Sequence, residues 1–437
     1  MALDTGPILT QAYRNFFSSA LALLRADHAT SGKVEGKSVL VPTFADIRDT
    51  ETSFGISQTY AVKVIPDLTR FVLNRSEKIK SLPELGKGME VLRNFVKVDK
   101  YAGIDQRYFL DPLIDLAHSV KGFDVPILVL EEKVREVVNC VQSGTFIVEA
   151  LAVLDGFSSE SARIQLSDSC WIRKLDLKSA INFWEEDGQR ARDGNSLSPA
   201  EYLLQATMSA NISNHGKEHF TIREKLKQAL FVLRLLKRGK VQLKDVSVRH
   251  LTWAPIYEPR QRLTRAFVLP RQYRLSQVEA DSLAEHWRKY AALFDSQEQR
   301  ERLAVSRFGS SYDRESSHDK IIDCFIGLEA LLIEDDRELG YKLRLRTANL
   351  LGMNKDDRQK IFSEVKVGYD TRSKIVHGND PGKSVSLPTC PHPVSIDHFA
   401  EDLERYLAQA LMQIADLRAE RPGLNLIKHL DRMALSA

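Results

Sequence analysis

Residues 319–333, DKIIDCFIGLEALLI, constrain the fold more than any other stretch of the chain. The helix that they predict is apolar on nearly all sides, as the central helix of a bundle is. Glu329 interrupts an apolar stripe formed by Ile322, Ile326 and Ile333. A buried carboxylate needs a partner, because an unpaired one costs several kcal/mol or becomes protonated. The segment therefore predicts a helical bundle in which Glu329 is either buried and paired or touches water at the stripe's edge.

Helical patterns surround this segment from Ser276 onward. Ser276 and Glu279 have the spacing of a capping box, in which each side chain satisfies the other residue's backbone N–H. Asn354 and Ser395 are predicted N-caps of two later helices. The order predicted from here is a helix to about residue 292, a second to about 307, a polar loop at 308–318, the central helix at 319–333, a short helix at 340–352, a helix after Asn354, a loop at 378–394, a long helix after Ser395 and an apolar tail at 424–435 that docks back.

The first 270 residues mix helical and strand patterns without a clean alternation. Since 437 residues exceed one small core, the chain is predicted to be a multidomain α+β protein. Its three parts are a mixed α/β region at 1–150, a second α/β region with a basic linker at 151–270, and an all-α helical domain at 275–437. The N-terminal elements predicted are helices at 8–25, 77–98, 131–141 and 221–238, and strands at 38–41, 60–65, 126–130, 146–154, 161–174 and 241–249.

Composition limits the class of protein. The chain is 43% apolar and 28% charged, as ordinary soluble globular proteins are. A net charge of +3 creates no overall basic field, so any surface for nucleic acid has to be local. No stretch reaches the roughly 18 uncharged apolar residues of a membrane span, and Asp4 precedes the first apolar run where a signal peptide would be basic. We therefore expect a cytoplasmic protein with no membrane partner.

The segment 259–274, PRQRLTRAFVLPRQYR, is a basic linker that carries five arginines. Of these, Arg265, Arg271 and Arg274 are candidate contacts to RNA phosphates. The alternative is a solvated connector in which some of the arginines pair with acidic side chains.

Metal-binding patterns are weak. The four cysteines are scattered and form no C-x2-C pair. His215 and His219 stand four residues apart in HGKEH, but the second position lacks the glutamate of a metalloprotease helix and no third ligand is evident. Surface histidines are therefore expected here, and neither a metal nor a cofactor is predicted.

Residues 371–379, TRSKIVHGN, place Arg372 and His377 at the end of a predicted helix that Gly378 terminates. This spacing resembles the R-x4-6-H signature of the HEPN superfamily. The segments DKIIDCFIGLEALL, GYKLRLRTANLLG and YDTRSKIVHGN follow one another as in Apea-like HEPN domains and cover about residues 316–380. The resemblance therefore extends over much of the C-terminal third of the chain.

The resemblance implies a metal-independent endoribonuclease that dimerises through its HEPN domain and acts in defence or stress. Arg372 and His377 would be its catalytic residues, placed in a cleft on the two-fold axis. Ser373 would orient the phosphate or His377, Glu329 would hold Arg372, and Lys374 would contact RNA. The N-terminal region would sense an unknown trigger or restrain the cleft.

Two alternatives stay open from the sequence. A non-catalytic HEPN module could bind RNA or a nucleotide, or serve only in protein assembly. Arg372 could also pair with Asp370 or Glu364 while His377 merely caps its helix, where positive charge is favoured. HEPN toxins silenced by nucleotidylation carry a tyrosine two residues after the histidine; here that residue is Asn379, so this form of regulation is not expected.

Overall fold

A computed structural model describes residues 6–31, 34–50, 53–95, 106–174, 202–212, 217–253, 273–335 and 337–435. Helices and mostly antiparallel strands occur together, so the predicted α+β class is confirmed. The chain divides into two compact units, each made of several stretches. The first comprises 1–153, 174–224 and 245–264, and the second comprises 154–173, 225–244 and 265–437. The three-domain division drawn from the sequence stays a prediction.

The N-terminal part of the first unit is mainly helical. Its elements are α1 (Gly6–Ser31), β1 (Gly36–Thr50), β2 (Ser53–Pro66), α2 (Leu68–Leu73), α3 (Ser76–Lys80), α4 (Pro83–Phe95), α5 (Arg107–Ser119) and α6 (Ile127–Ser143). Helix α1 packs against α4, α5 and α6. Tyr13 of α1 stacks on Phe109 of α5 at 4.4 Å between ring centroids, and Phe16 meets the same ring edge-on at 5.2 Å. These fully buried rings form the core of the helical part.

The sequence predicts some of the strands of the middle region, but the strands at 157–159, 202–211 and 273–275 were not predicted. The elements of this region are β3 (Thr145–Asp155), β4 (Phe157–Ser159), β5 (Arg163–Ser167), β6 (Cys170–Lys174), β7 (Tyr202–Asn211), then helix α7 (Glu218–Leu236), β8 (Gln242–His250) and β9 (Tyr273–Leu275). In the first unit β3 lies between β7 and β8, and it pairs with β7 in antiparallel register from Thr145–Asn211 to Val153–Leu203. In the second unit β5 and β6 form a hairpin.

Several predicted elements differ in type or extent, and the strands predicted at 38–41 and 60–65 are only parts of the longer β1 and β2. The strand at 126–130 is the start of α6, whose regularly spaced residues Leu130, Val134 and Val141 are buried on one helical face. The helix at 77–98 is divided into α3 and α4, because proline restrains the residue before it and begins a new helix at Pro83. The loop at 308–318 is helical as far as Asp313.

The C-terminal part of the second unit is a helical bundle. Its elements are α8 (Gln277–Phe294), α9 (Gln299–Asp313), α10 (Ser317–Leu332), α11 (Leu339–Leu351), α12 (Lys355–Val376), β10 (Ser384–Val385), β11 (Val394–Ser395), α13 (Ile396–Glu420) and α14 (Leu426–Leu435). The capping box of Ser276 and the caps at Asn354 and Ser395 form as predicted. The apolar tail docks against α11 as α14, where Asp431 accepts two hydrogen bonds from Arg346 at 2.8 and 2.9 Å.

Helix α10 lies at the centre of the bundle, as its sequence predicts. It packs against α9, α11, α12 and α13. Ile321, Phe325, Leu328 and Leu332 have no exposed surface. Among the residues described, no helix combines the length and apolarity needed to cross a membrane.

Gly368 allows α12 to approach α10 closely. A Cβ atom at this position would lie 2.7 Å from Cζ of Phe325, closer than two carbon atoms can approach without a shift. One turn further along both helices, Glu329 of α10 faces Arg372 of α12. From the Phe325–Gly368 contact to the Glu329–Arg372 contact, both helices advance by four residues, so they run parallel here. The close approach at Gly368 sets the distance between the helices at which Glu329 meets Arg372.

Replacement of Gly368 by alanine tests this contact. We expect Gly368→Ala to destabilise the protein by about 1–3 kcal/mol, because the added methyl group overpacks the interface with Phe325. Urea unfolding followed by circular dichroism measures the change. The matched control is Gly309→Ala in α9, where a Cβ meets no atom within 4 Å, and which should be neutral or stabilising by up to about 1 kcal/mol. Equal effects of the two substitutions would contradict the close approach.

Candidate functional site

The candidate residues Arg372, Ser373 and Lys374 lie in the last turns of α12. The Asn354 side chain caps the start of this helix by accepting a hydrogen bond from the backbone N–H of Asp357 at 2.9 Å. Near its end, the hydroxyl of buried Thr371 donates to the carbonyl of Val367 at 2.7 Å, which satisfies this buried hydroxyl within the helix.

The end of α12 leaves His377 exposed. His377 is the C-cap residue, and Gly378 follows in the left-handed conformation with φ of 77°. The N–H of Gly378 donates to the carbonyl of Ile375 at 3.0 Å, and that of Asn379 donates to the carbonyl of Lys374 at 2.9 Å. This pair of bonds is a Schellman motif, which fits the predicted stop at Gly378. His377 therefore stands at a fixed backbone position with its side chain open to solvent.

Glu329 is the ion-pair partner of Arg372. Oε2 of Glu329 lies 3.6 Å from Nη2 of Arg372, and the two side chains are only 23% and 25% exposed. Burial raises the pKa of the Glu329 carboxyl, and the guanidinium partly offsets this rise. Nε of Arg372 is buried and has no hydrogen-bond partner among the described residues. The guanidinium is thus oriented by a carboxylate at ion-pair distance while it retains donors for another acceptor.

Asp370 and Glu364 were the alternative partners for Arg372. Glu364 binds other side chains, and Asp370 makes no ion pair with Arg372 among the described contacts. Glu364 is buried and accepts a hydrogen bond from the hydroxyl of Thr389 at 2.7 Å and another from the hydroxyl of Tyr406. Since Thr389 belongs to the loop after His377, Glu364 ties that loop to α12. Asp370 is exposed, and Glu329 occupies the position beside Arg372.

The remaining candidate residues differ in their surroundings. Ser373 is half-buried, and its carbonyl accepts the backbone N–H of His377 at 3.1 Å, whereas Lys374 is exposed. Arg274 is exposed and lies 3.5 Å from Glu160, which matches the alternative of arginines paired with acids. Arg265 and Arg271 lie outside the described residues. The structure therefore places Arg372, Ser373, Lys374 and His377 together on one helix end, with Glu329 beside them.

The first unit contains a cluster that the sequence did not reveal. Glu218 and His219 begin α7, and His250 ends β8. One possible ligand atom from each residue lies within 4.8 Å of the others. His219 is half-buried, so it is less exposed than the predicted surface histidine, and His215 lies outside the described residues. The sequence did not reveal the cluster because His250 is 31 positions after His219, and because the glutamate of HGKEH is at the fourth position and not at the second.

A cleft of about 180 Å³ in the second unit was also missed. Arg238, Lys240, Tyr312, Lys320 and Glu404 are among its lining residues, whereas Arg372 and His377 do not line it. Nζ of buried Lys320 lies 3.7 Å from Oε1 of Glu404. Burial raises the pKa of Glu404, and Lys320 opposes that rise. Nothing in the local sequence marks this cleft, since helical spacing alone does not pair residues from different helices.

The comparisons with known proteins identify no relative. No protein-family model matches the chain, and no curated protein or solved structure is significantly similar to it.

The pairing of Arg372 with Glu329 predicts a pH-dependent stability. In Arg372→Ala only burial acts on Glu329, so its pKa should rise further above the ordinary value. A carboxyl whose pKa is higher in the folded state opposes folding above that pKa and ceases to do so when protonated at lower pH. We therefore expect a loss of about 1–2 kcal/mol at pH 7 that shrinks toward pH 5, measured by urea unfolding.

The control for this experiment is Lys374→Ala, which removes an exposed cation two residues away. Its effect on the free energy of unfolding should be small at both pH values. A loss in Arg372→Ala that stays constant between pH 5 and pH 7 would show that the ion pair contributes nothing.

Proposed function

We propose that the chain is a HEPN-class endoribonuclease that cleaves single-stranded RNA with Arg372 and His377. The observation that carries this proposal is the arrangement at the end of α12. Solvent-exposed His377 lies five residues after Arg372, and Glu329 orients the guanidinium of Arg372. The resemblance of residues 316–380 to Apea-like HEPN domains supplies the chemical class. A role as a defence or stress effector in the cytoplasm belongs to the same proposal.

The proposed reaction uses the nucleophile of the substrate itself. The 2′-hydroxyl of RNA attacks the adjacent phosphorus, the bond to the 5′-oxygen of the next nucleotide breaks, and the products are a 2′,3′-cyclic phosphate and a 5′-hydroxyl end. His377 takes the proton of the 2′-hydroxyl as a general base or gives a proton to the leaving 5′-oxygen as a general acid. Arg372 stabilises the negative charge that develops on the phosphoryl oxygens. Because the attacking oxygen belongs to the RNA, this mechanism requires no metal ion.

Two protomers complete the proposed site. Five residues along an ideal helix turn by about 500°, so Arg372 and His377 point roughly 140° apart and do not share one face of α12. The proposed homodimer brings two such pairs to a cleft on its two-fold axis. Two arginines and two histidines in one cleft favour an anion such as a phosphodiester.

Glu329 is proposed as a positioning residue that acts through Arg372. Its distance of 3.6 Å supports an ion pair without a hydrogen bond, so the guanidinium can bind a phosphoryl oxygen while Glu329 limits its orientation. Ser373 and Lys374, which neighbour Arg372 in the last turns of α12, are proposed to contact the phosphate and the RNA backbone. The N-terminal region is proposed to sense a trigger or restrain the cleft.

A cleavage assay tests the proposal. Purified full-length protein is incubated with fluorescent single-stranded RNA in EDTA, and the product ends are identified by mass spectrometry. We expect cleavage by the wild type and a rate at least about 100-fold lower in Arg372→Ala and in His377→Ala, because each removes a group that acts in the transition state. Sedimentation analysis should show an unchanged dimer in both variants.

The matched control is His392→Ala, which removes another exposed histidine of the same unit and should leave the rate unchanged. Glu329→Gln should lower the rate through the position of Arg372, and an unchanged rate would remove Glu329 from the mechanism. Wild-type cleavage that survives both catalytic substitutions would refute the assignment of the site.

The second candidate function is a non-catalytic HEPN module that binds RNA or a nucleotide, or serves in assembly. It is favoured by the position of His377 as the C-cap of α12 and by the ion pair of Arg372, since both residues then have structural roles. Wild-type protein that binds the RNA probe and leaves it intact would support this function instead.

A further inference from the structure

The cluster of Glu218, His219 and His250 joins two elements of the first unit. Glu218 and His219 are the first two residues of α7, and His250 is the last residue of β8. All three belong to the same compact unit. One carboxylate oxygen and one nitrogen from each imidazole lie within 4.8 Å of one another. Three potential metal ligands from two separate elements therefore face a common point.

The carboxylate of Glu218 is the observation that indicates a ligand. Glu218 is 3% exposed, and neither of its oxygens has a hydrogen-bond partner among the described residues. An unpaired buried carboxylate costs several kcal/mol. The helix macrodipole favours an anion in the first turn of α7 by only about 0.3–1 kcal/mol, which does not offset that cost. A bound cation would supply the missing interaction.

The backbone around His250 holds its imidazole in place. The ring packs edge-on against buried Phe146 at 5.0 Å between centroids, and it lies 5.8 Å from the ring of His219. Just after His250, the N–H of Leu251 donates to the carbonyl of Ile147 at 2.8 Å, and the hydroxyl of Thr252 accepts from the N–H of Ile147 at 2.9 Å. The end of β8 is thus fixed against β3, which holds His250 close to Glu218 and His219.

We propose that Glu218, His219 and His250 bind one transition-metal ion, with Zn²⁺ as the preferred species. Two imidazoles and one carboxylate are a ligand set that zinc uses, whereas Mg²⁺ and Ca²⁺ prefer oxygen ligands alone. Metal–ligand bonds of about 2.0–2.2 Å place tetrahedral ligand atoms roughly 3.4 Å apart, so side-chain rotation closes the 4.8 Å cluster around an ion. Three protein ligands leave a fourth position for water.

The metal ties the start of α7 to the end of β8 and stabilises the first unit. This site differs from the proposed ribonuclease site, whose Arg372 and His377 belong to the second unit. The two proposals therefore fail independently, since cleavage is assayed in EDTA and metal binding is assayed without RNA.

Metal titration of the full-length protein tests the site. Cys390 is an exposed thiol that could bind zinc adventitiously, so all proteins carry Cys390→Ser. After chelator treatment and dialysis, Co²⁺ is added and its visible absorption is recorded, and Zn²⁺ is then used to displace it. We expect one Co²⁺ and one Zn²⁺ per chain, a visible spectrum of low-coordinate Co²⁺, and a higher Tm with Zn²⁺.

Variants connect the binding to the three residues. Glu218→Gln and His250→Asn should each weaken Zn²⁺ binding at least about 10-fold. Loss of a group that only hydrogen-bonds to a metal ligand already lowers metal affinity about 10-fold or more, and loss of the ligand itself should lower it at least as much. The control is His398→Asn in α13, an exposed histidine 3.9 Å from Glu401 and Asp402, which should bind Zn²⁺ as the parent does.

Two results would overturn the proposal. One is a parent protein that binds no Zn²⁺ at micromolar free concentration. The other is a Co²⁺ spectrum that is the same in the parent and in Glu218→Gln, which would place the ion elsewhere. Circular dichroism verifies that the variants are folded. If a variant does not fold, Zn²⁺ binding by the parent protein still decides the proposal.

Discussion

The contact between Gly368 and Phe325 determines how the helical bundle presents its polar residues. The absence of a Cβ atom lets α12 lie against the buried ring of α10, and this separation brings Glu329 to Arg372 one turn later. With a larger residue at 368 the helices would move apart, and a half-buried carboxylate would lose its partner. The charge geometry of the candidate site thus follows from apolar packing one turn away.

Two buried carboxylates of the second unit are held by close hydrogen bonds, unlike half-buried Glu329. Asp323 accepts hydrogen bonds from Arg307 and Arg314 at 2.9 Å each, and Glu364 is bound by two hydroxyl groups. Breaking such a pair leaves a buried charge without a partner, so these contacts specify how neighbouring helices lie. Glu329 lies at 3.6 Å from its arginine and lacks that close contact. Arg372 is accordingly held less tightly than Arg307 and Arg314, which agrees with the proposal that it binds a phosphate.

Much of the helical half could be predicted because its determinants are local. The caps at Ser276, Asn354 and Ser395 and the stop at Gly378 depend on residues within one turn, which a single sequence displays. The errors occur where local patterns are ambiguous. An apolar run of five residues at 126–130 has the length of a strand, and only the longer spacing of buried residues in α6 shows that it is helical.

The candidate site was predictable to a similar degree. The resemblance to HEPN domains singled out Arg372 and His377, and the cost of burying a charge showed that Glu329 needs a partner. The resemblance named Arg372 as the partner expected for Glu329, but the distance of 3.6 Å between them was decided by the tertiary structure, since Arg372 belongs to another helix 43 positions later. The meeting of Glu218 and His219 with His250 was decided in the same way. Periodicity and capping act over a few residues, whereas ion pairs and ligand clusters join elements that only the packed chain brings together.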